Sequence, residues 1–233
     1  MKRETIIKDL KDYYNRENIV PGINFNCNKK DCCQVINNNN AVGMQCHVGT
    51  KYGENKYNVL VVSLDCGHGG ASNIDERTKD VESSDFSNLH MKGTGKLIGD
   101  FYETSSTEAL KYYAMTNSCK CSKKTSSNQQ GYNLHSNCAN HKLSEIDILQ
   151  PDVIYFQGIN SRAAIESKFQ NIDNIPKELS SYIKYLEIGD KRYPAVLCVH
   201  PSARGRHRIV ANHFYDVTIK EINKYIKEKI LGQ

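Results

Sequence analysis

Four short segments of this 233-residue chain carry side chains that could do chemistry, and each follows an apolar run. They are 63–68 (SLDCGH), 116–121 (TNSCKC), 157–162 (QGINSR) and 200–207 (HPSARGRH). Carboxylate, amide and imidazole groups can activate water, read the edge of a base and donate a proton. A single polar segment of this kind is ordinary turn chemistry, but four of them together indicate a site.

The apolar runs before these segments have the length and composition of buried strands. They lie at 58–64, 110–116, 152–156 and 194–199. Helical patterns lie at 3–16, 94–103, 141–149, 159–169, 176–186 and 219–230. This alternation predicts an α/β fold, a three-layer α/β/α arrangement with a central four-stranded parallel sheet. Ligands of such sheets bind beyond the carboxyl ends of the strands, so the four segments should meet there.

Net charge and hydropathy limit the partners and the location that we expect for this chain. The net charge of +5 permits a nucleic-acid partner without requiring one. No apolar run is long enough to span a bilayer, and the charged start MKRETIIKDLKDYY has no signal-peptide core. We therefore expect a cytoplasmic monomer that does not bind membranes, with residues 1–233 forming one domain.

Nine cysteines in a cytoplasmic chain indicate metal or cluster ligation, since disulfides are rare in that compartment. Several of them lie in a cysteine-rich N-terminal segment, 22–50. Cys66 and Cys198 are better explained as small apolar residues of the core.

Four motifs, in this order along the chain, resemble those of the uracil-DNA glycosylase superfamily. Asp65 and His68 match its water-activating loop, although Cys66 and Gly67 depart from the Pro-Tyr found there. TNSCKC is similar to the Thr-Asn-x-x-Lys-Cys of its iron–sulfur branches, PDVIYFQG to a strand of the family, and HPSARGRH to its late His-Pro-Ser motif.

The resemblance implies a role for each matching residue. Asp65 would stabilise the sugar cation and orient water, and His200 would donate to the departing base. Asn117 would read the edge of the base and His90 would stack on it. The loop residues Gly67 and His68 would complete the base pocket, with Gly67 leaving room for a group on C5.

DNA contacts are expected beyond the last strand. The clustered side chains there suit phosphates. They are Ser202, Arg204, Arg206 and Arg208. Ser161, close to Gly158 at the start of a predicted helix, is a further candidate for a phosphate contact.

The same resemblance implies a 4Fe-4S cluster held by four thiolates. Cys121 and Cys138 match the family's second pair, and Cys27 with either Cys32 or Cys33 would supply the first. Cys46 and Cys119 are reserves. Zinc uses the same ligand types and stays open as a less favoured alternative.

We therefore expect a monofunctional DNA glycosylase that acts on a flipped-out base and leaves an abasic site. The base would be uracil, in a repair role, or a hypermodified cytosine of viral DNA, in antiviral defence; Asp65, Gly67 and His90 favour the second. A zinc-stapled nucleic-acid-binding module without catalysis is the alternative. A small-molecule hydrolase is disfavoured because there is no G-x-S-x-G motif. Lys92, Lys96 and Lys120 leave a lyase step open.

Overall fold

The computed structural model describes residues 2–20, 43–64, 73–120 and 135–232. Its helices are α1 (Arg3–Arg16), α2 (Ile74–Glu82), α3 (Leu89–Tyr102), α4 (Ser106–Ala109), α5 (Ala139–Leu149), α6 (Ile159–Arg162), α7 (His207–His213) and α8 (Ile219–Tyr225). A 3-10 turn spans Glu166–Lys168, and π-helical segments follow α7 and α8 at Phe214–Thr218 and Ile226–Ile230. None of these helices is both long and apolar enough to cross a bilayer.

The strands form one mixed sheet. They are β1 (His47–Val48), β2 (Val59–Ser63), β3 (Tyr113–Asn117), β4 (Val153–Gln157), β5 (Phe169–Gln170), β6 (Ile183–Ile188) and β7 (Lys191–Cys198), in the order β1-β3-β2-β4-β7-β6-β5. Strand β2 pairs in parallel with β3 and β4, and β4 pairs in parallel with β7. Strands β1, β6 and β5 add antiparallel pairs at the two edges. The α/β class is confirmed, but the sheet has seven strands rather than the four expected.

Residues of the sheet alternate between two hydrophobic clusters, one on each face. In β2, Leu60 and Val62 belong to the cluster that includes α1 and α5, whereas Val59 and Val61 belong to the cluster with α3 and α8. All five β2 residues are buried, as expected for a strand covered on both faces. Because β3, β2, β4 and β7 are parallel, their carboxyl ends lie on the same side of this covered sheet.

Two helix predictions were wrong in part or in full. The pattern at 176–186 lies instead in a turn and strand β6, which forms a hairpin with β7 around Gly189 and Asp190. Gly189 has φ of +58°, which the two-residue turn requires and which glycine adopts without strain. The helix expected at 159–169 ends after one turn at Arg162, because Ala163 has a non-helical ψ of 147°, and Ala164 follows with φ of +67°.

Candidate active-site cavity

A cavity of about 370 Å³ lies at the carboxyl ends of β2 and β3, and we refer to it as the central cavity. Its walls come from two strands, two helices and the turn after β7. The lining residues are Ser63, Leu64, Arg77, Asp80, Val81, Asn88, His90, Met91, Met115, Asn117, His200 and Ser202. Three residues expected from the sequence to form one site, His90, Asn117 and His200, therefore line one cavity. Ser202, expected to bind DNA, lies beside them.

His200 is held by close backbone approach. A Cβ on Gly158 would lie 3.1 Å from the Cβ of His200, and a Cβ on Gly93 would lie 2.6 Å from that of Pro201. Gly158 also has φ of +88°, so two requirements favour glycine there. The backbone N–H of Ser202 donates to His200 Nδ1 at 3.1 Å. In a neutral ring this bond leaves the proton on Nε2, which makes Nε2 a donor.

His90, at the start of α3, belongs to a closed ring of hydrogen bonds. Its Nε2 lies 2.9 Å from the hydroxyl of Ser63, which donates to Oε1 of Gln157 at 3.2 Å. The Gln157 amide donates to Thr94 Oγ1 at 3.0 Å, and that hydroxyl donates to the His90 carbonyl at 2.9 Å. Because the Ser63 proton is directed to Gln157, His90 Nε2 donates to Ser63 and Nδ1 is left as the acceptor.

The electrostatics of the cavity keep His90 neutral. Burial is the main cause that lowers the pKa of His90 to about 4, and the nearby His200 and Arg77 lower it further. The two imidazole rings lie 5.8 Å apart between centroids. At neutral pH this site therefore contains an uncharged His90 beside the permanent charge of Arg77.

Asn117 is the last residue of β3 and is only 3% exposed. The chain after it is pinned to the end of β2, because the N–H of Ser118 donates to the Ser63 carbonyl at 2.8 Å and that of Cys119 to the Leu64 carbonyl at 3.0 Å. Leu64 lines the cavity. The next residues, including Asp65, Gly67 and His68, lie outside the described part of the chain.

Arg77 and Asp80 of α2 were missed from the sequence, as was the helix itself. The helix begins with a capping box, in which Asn73 and Glu76 bond each other's backbone N–H groups. The sequence Asn-x-x-Glu carries that signal and could have located the helix. Nothing in the sequence indicated that Arg77 faces the other polar groups, because that depends on where α2 packs.

A second depression, about 560 Å³ in volume, lies on the other side of His200 and includes Asn160, Arg162 and His207. Arg204 and Arg206 are exposed in the turn beyond it, and Arg208 is half-buried. Ser161 is different, because it is fully buried and its hydroxyl donates to the Gly158 carbonyl at 2.6 Å. Its backbone N–H, the group expected to meet a phosphate, donates to the same carbonyl at 3.2 Å. Both groups of Ser161 are therefore bonded within the turn.

Most of the expected cluster ligands, Cys27, Cys32, Cys33 and Cys121, lie outside the described residues. Cys138 is buried just before α5, and its Sγ accepts from the backbone N–H of Lys120 at 3.4 Å. Of the reserves, Cys46 is buried, and Cys119 Sγ lies 3.1 Å from His135 Nδ1. Within the described residues, no three His, Cys, Asp or Glu side chains form a group that could hold a metal ion.

Lys120, considered above for a lyase step, is fully buried and forms an ion pair with Glu145 at 2.6 Å. Its Nζ also donates to Thr116 Oγ1 at 2.7 Å. Lys96 contacts Asp216 on the surface. Neither lysine lines the central cavity, so the structure lends no support to either of them as a nucleophile.

No protein-family model matches the chain. Comparison with curated proteins found no significantly similar sequence.

Proposed function

We propose that this chain is a DNA glycosylase that removes a flipped-out pyrimidine in the cytoplasm, acting as a monomer. The observation that carries the proposal is that Asn117, His90 and His200 line one cavity, together with Leu64, the residue that precedes Asp65 in the sequence. Four parallel strands with helices on both faces are also what the resemblance to the uracil-DNA glycosylase superfamily implies. A base-sized cavity at their carboxyl ends suits an extruded nucleotide.

The leaving base gains negative charge as the bond to the sugar breaks, so a donor must meet it. His200 suits this role because the Ser202 N–H occupies Nδ1 and leaves Nε2–H as the donor of a neutral ring. The glycine contacts hold the imidazole in place before the reaction. A fixed donor lowers the barrier because it needs no reorganisation when charge develops.

Recognition of the base falls to Asn117 and His90 in this proposal. An asparagine amide presents one donor group and one acceptor, which complements a pyrimidine edge. His90 stays neutral because its pKa is lowered to about 4, so its ring can stack on a base without adding a charge to the pocket.

The proposal extends to DNA binding and to the cofactor. Arg204 and Arg206 are exposed in the turn between Ala203 and His207, which both line the second depression, and they suit phosphate contacts there. Cys138 supplies one buried thiol, with a backbone N–H bonded to its sulfur, for a 4Fe-4S cluster that would join it to Cys121 and the N-terminal cysteines. The cluster would tie these segments together and would take no part in bond breaking.

The test is a panel of oligonucleotides that carry uracil, a thymine mismatch, 5-hydroxymethylcytosine or its glucosylated form. Each is incubated with the protein as single and double strands and then treated with alkali, which cleaves at abasic sites. We expect cleavage of at least one. His200→Ala should lower that rate by about 10²–10³-fold, whereas His213→Ala, an exposed histidine of α7, should not. Cleavage of none of the oligonucleotides by the wild-type protein would overturn the proposal.

The cofactor is tested separately. A purified protein with a 4Fe-4S cluster is brown, contains iron and loses both properties in Cys138→Ser. A colourless, zinc-loaded protein without cleavage activity would support the alternative, a non-catalytic nucleic-acid-binding module.

A further inference from the structure

Arg77 is the one permanent cation on the wall of the central cavity, among the residues that the structure describes there. Its Nε is fully buried and has no hydrogen-bond partner. A guanidinium is always charged and has several N–H groups in a fixed fork. The Nε itself is closed to a ligand, but the side chain is half-buried and lines the cavity, and no ion pair to it forms among the described residues. Its remaining N–H groups therefore suit acceptor oxygens of a ligand in the cavity.

The position of Arg77 defines which part of a ligand it meets. Strands β3 and β7 are three steps apart in the sheet, about 14 Å at about 4.8 Å per step. Helix α2, which carries Arg77, packs on β1, the neighbour of β3. Arg77 therefore lies at the Asn117 end of the cavity, and His200 lies at the opposite end.

The two ends have different electrostatics. At the α2 end, Asp80 also lines the cavity, but no ion pair forms between Asp80 and Arg77 in the described structure. The charge of Arg77 is felt by its neighbours, since it lowers the pKa of His90. The α2 end therefore offers an unneutralised donor, with a carboxylate beside it that can accept from hydroxyl groups.

We propose that Arg77 is a specificity-determining residue that selects a pyrimidine carrying an oxygen-rich substituent, such as a hydroxymethyl group, a sugar linked through it, or a carboxylate. This inference rests on the proposed function and narrows its substrate. With the leaving-group donor His200 at one end of the cavity, the exocyclic end of the base points toward α2. The cavity volume of about 370 Å³ is within the usual range of small-ligand sites, about 300–1,000 Å³, and leaves space beyond a single ring.

A site built around a polar donor discriminates strongly, because an unsubstituted base leaves that donor unpaired. Sites that bind a substrate hydroxyl reject analogues without it by factors far larger than apolar pockets achieve. Uracil would fill the ring-binding part of the cavity and leave the Arg77 guanidinium without a partner. The three substituent types share acceptor oxygens, and the experiment separates them.

The experiment measures single-turnover cleavage and equilibrium binding of the full chain. The oligonucleotides carry uracil, 5-hydroxymethylcytosine, its glucosylated form or 5-carboxylcytosine. The variants are Arg77→Met, which removes the donors at similar length, and Arg77→Lys, which keeps the charge but loses the fork. Arg192→Met is the matched control, because Arg192 lies at the amino end of β7 and pairs with Glu187 at 2.8 Å, away from the cavity.

We expect the wild-type protein to prefer one of the substituted bases over uracil. Arg77→Met should lower cleavage and binding of that base by about 10–100-fold, while the values for uracil change less than about threefold. For the preferred base, cleavage and binding by Arg77→Lys should lie between those of the wild type and Arg77→Met. Arg192→Met should match the wild type. The identity of the preferred base, hydroxyl-bearing or carboxylate-bearing, names the substituent.

Several results would overturn the inference. They are a wild-type preference for uracil, an equal loss on all four bases in Arg77→Met, or no loss on any. Thermal unfolding of each variant identifies a loss caused by misfolding. If Arg77→Met is misfolded, the inference is tested with Arg77→Lys, which should lose more cleavage of the substituted base than of uracil. If no oligonucleotide is cleaved, the proposed function fails, but the ratio of binding affinities for substituted and unsubstituted bases still tests Arg77 by itself.

Discussion

Two clusters of polar side chains lie in this molecule, and their hydrogen-bonding capacity is used in opposite ways. In the first, the Lys120 ammonium contacts both oxygens of Glu145 at 2.6 and 2.8 Å and Thr116 Oγ1 at 2.7 Å. Tyr14 donates to the same carboxylate at 2.5 Å, and Thr116 donates to it as well. All four side chains are fully buried. In the second cluster, around the central cavity, Arg77 Nε has no hydrogen-bond partner among the described residues, and burial keeps His90 uncharged.

This difference in hydrogen bonding distinguishes a cluster that stabilises the fold from one that could bind a ligand. A buried ion pair whose oxygens and protons are all bonded inside the protein has nothing to offer a ligand. At the cavity, by contrast, Arg77 forms no ion pair within the described residues, and His90 is held in one protonation state. Both clusters contain charged residues, Lys120 with Glu145 in the first and Arg77 with Asp80 in the second, so charge alone does not identify a site. Unused bonding capacity beside a cavity does.

The largest effect should come from breaking the first cluster, formed by Tyr14, Thr116, Lys120 and Glu145, which we call the closed cluster. Glu145→Gln leaves the Lys120 charge buried without its counter-ion, and we expect a loss of about 3–5 kcal/mol in the free energy of unfolding. Urea denaturation measures this. Glu228→Gln, in an exposed pair with Lys224, should change stability by less than about 0.5 kcal/mol.

The double variant Lys120→Met/Glu145→Gln sharpens this result. Removal of both charges should restore part of the loss, since the cost arises from the uncompensated ammonium rather than from the missing contact. If Glu145→Gln alone costs less than about 1 kcal/mol, the closed cluster is not the structural element that its geometry indicates.

His47 provides an intermediate case, buried like the first cluster and incompletely bonded like the second. Its Nε2 bonds the Leu110 carbonyl at 3.1 Å, whereas Nδ1 is buried with no partner. Burial lowers the pKa of His47 from about 6.5 to about 3. Below pH 6.5 the unfolded chain therefore binds a proton that the folded protein excludes, and stability falls as the pH falls.

We expect this histidine to account for about 2–3 kcal/mol of the unfolding free energy lost between pH 7 and pH 4. His47→Gln retains a donor toward Leu110 and does not titrate. Urea denaturation at several pH values should therefore give a shallower pH dependence for the variant. Parallel curves for the two proteins would contradict the assignment.

The smallest effect should come from Tyr215, in the π-helical segment after α7. Its hydroxyl donates at 2.7 Å to the carbonyl of Val199, the residue before His200. Tyr215→Phe should cost about 1 kcal/mol of stability and lower cleavage less than tenfold, because the His200 turn loses one anchor. Tyr225→Phe is the control, since that hydroxyl makes only a long exposed contact, 3.4 Å to Asn174. Equal effects in the two variants would show that the Tyr215 hydroxyl does not stabilise the turn that carries His200.

The sequence predicted the elements whose signals are local. The helix at 3–16 is confirmed as Arg3–Arg16, and the four apolar runs coincide with β2, β3, β4 and β7 within a few residues. The short strands β1 and β5 have two residues each, too few for any periodic pattern. The β6–β7 hairpin did carry a signal, the Gly-Asp pair at 189–190 between strand-forming residues.

The candidate site was predicted where residues follow parallel strands, because strand ends converge whatever the details of packing. Asn117 and His200 meet at one cavity for that reason, and His90 joins them from the start of α3. Arg77 was missed because its place depends on how α2 packs against β1, which no spacing along the chain encodes. The backbone N–H of Ser161 was expected to bind a phosphate, but that N–H and the hydroxyl both donate to the Gly158 carbonyl, which depends on the local backbone geometry.

The glycine contacts have a consequence for how the protein tolerates change. Gly93 and Gly158 have no functional group, yet a methyl group on either would press against Pro201 or His200, and the rigid proline ring cannot move aside alone. Variation at these two positions would reposition the imidazole by tenths of an ångström. The shape of the pocket therefore depends on two positions without a functional group, and a survey of random variants should find them as intolerant of substitution as the histidine they support.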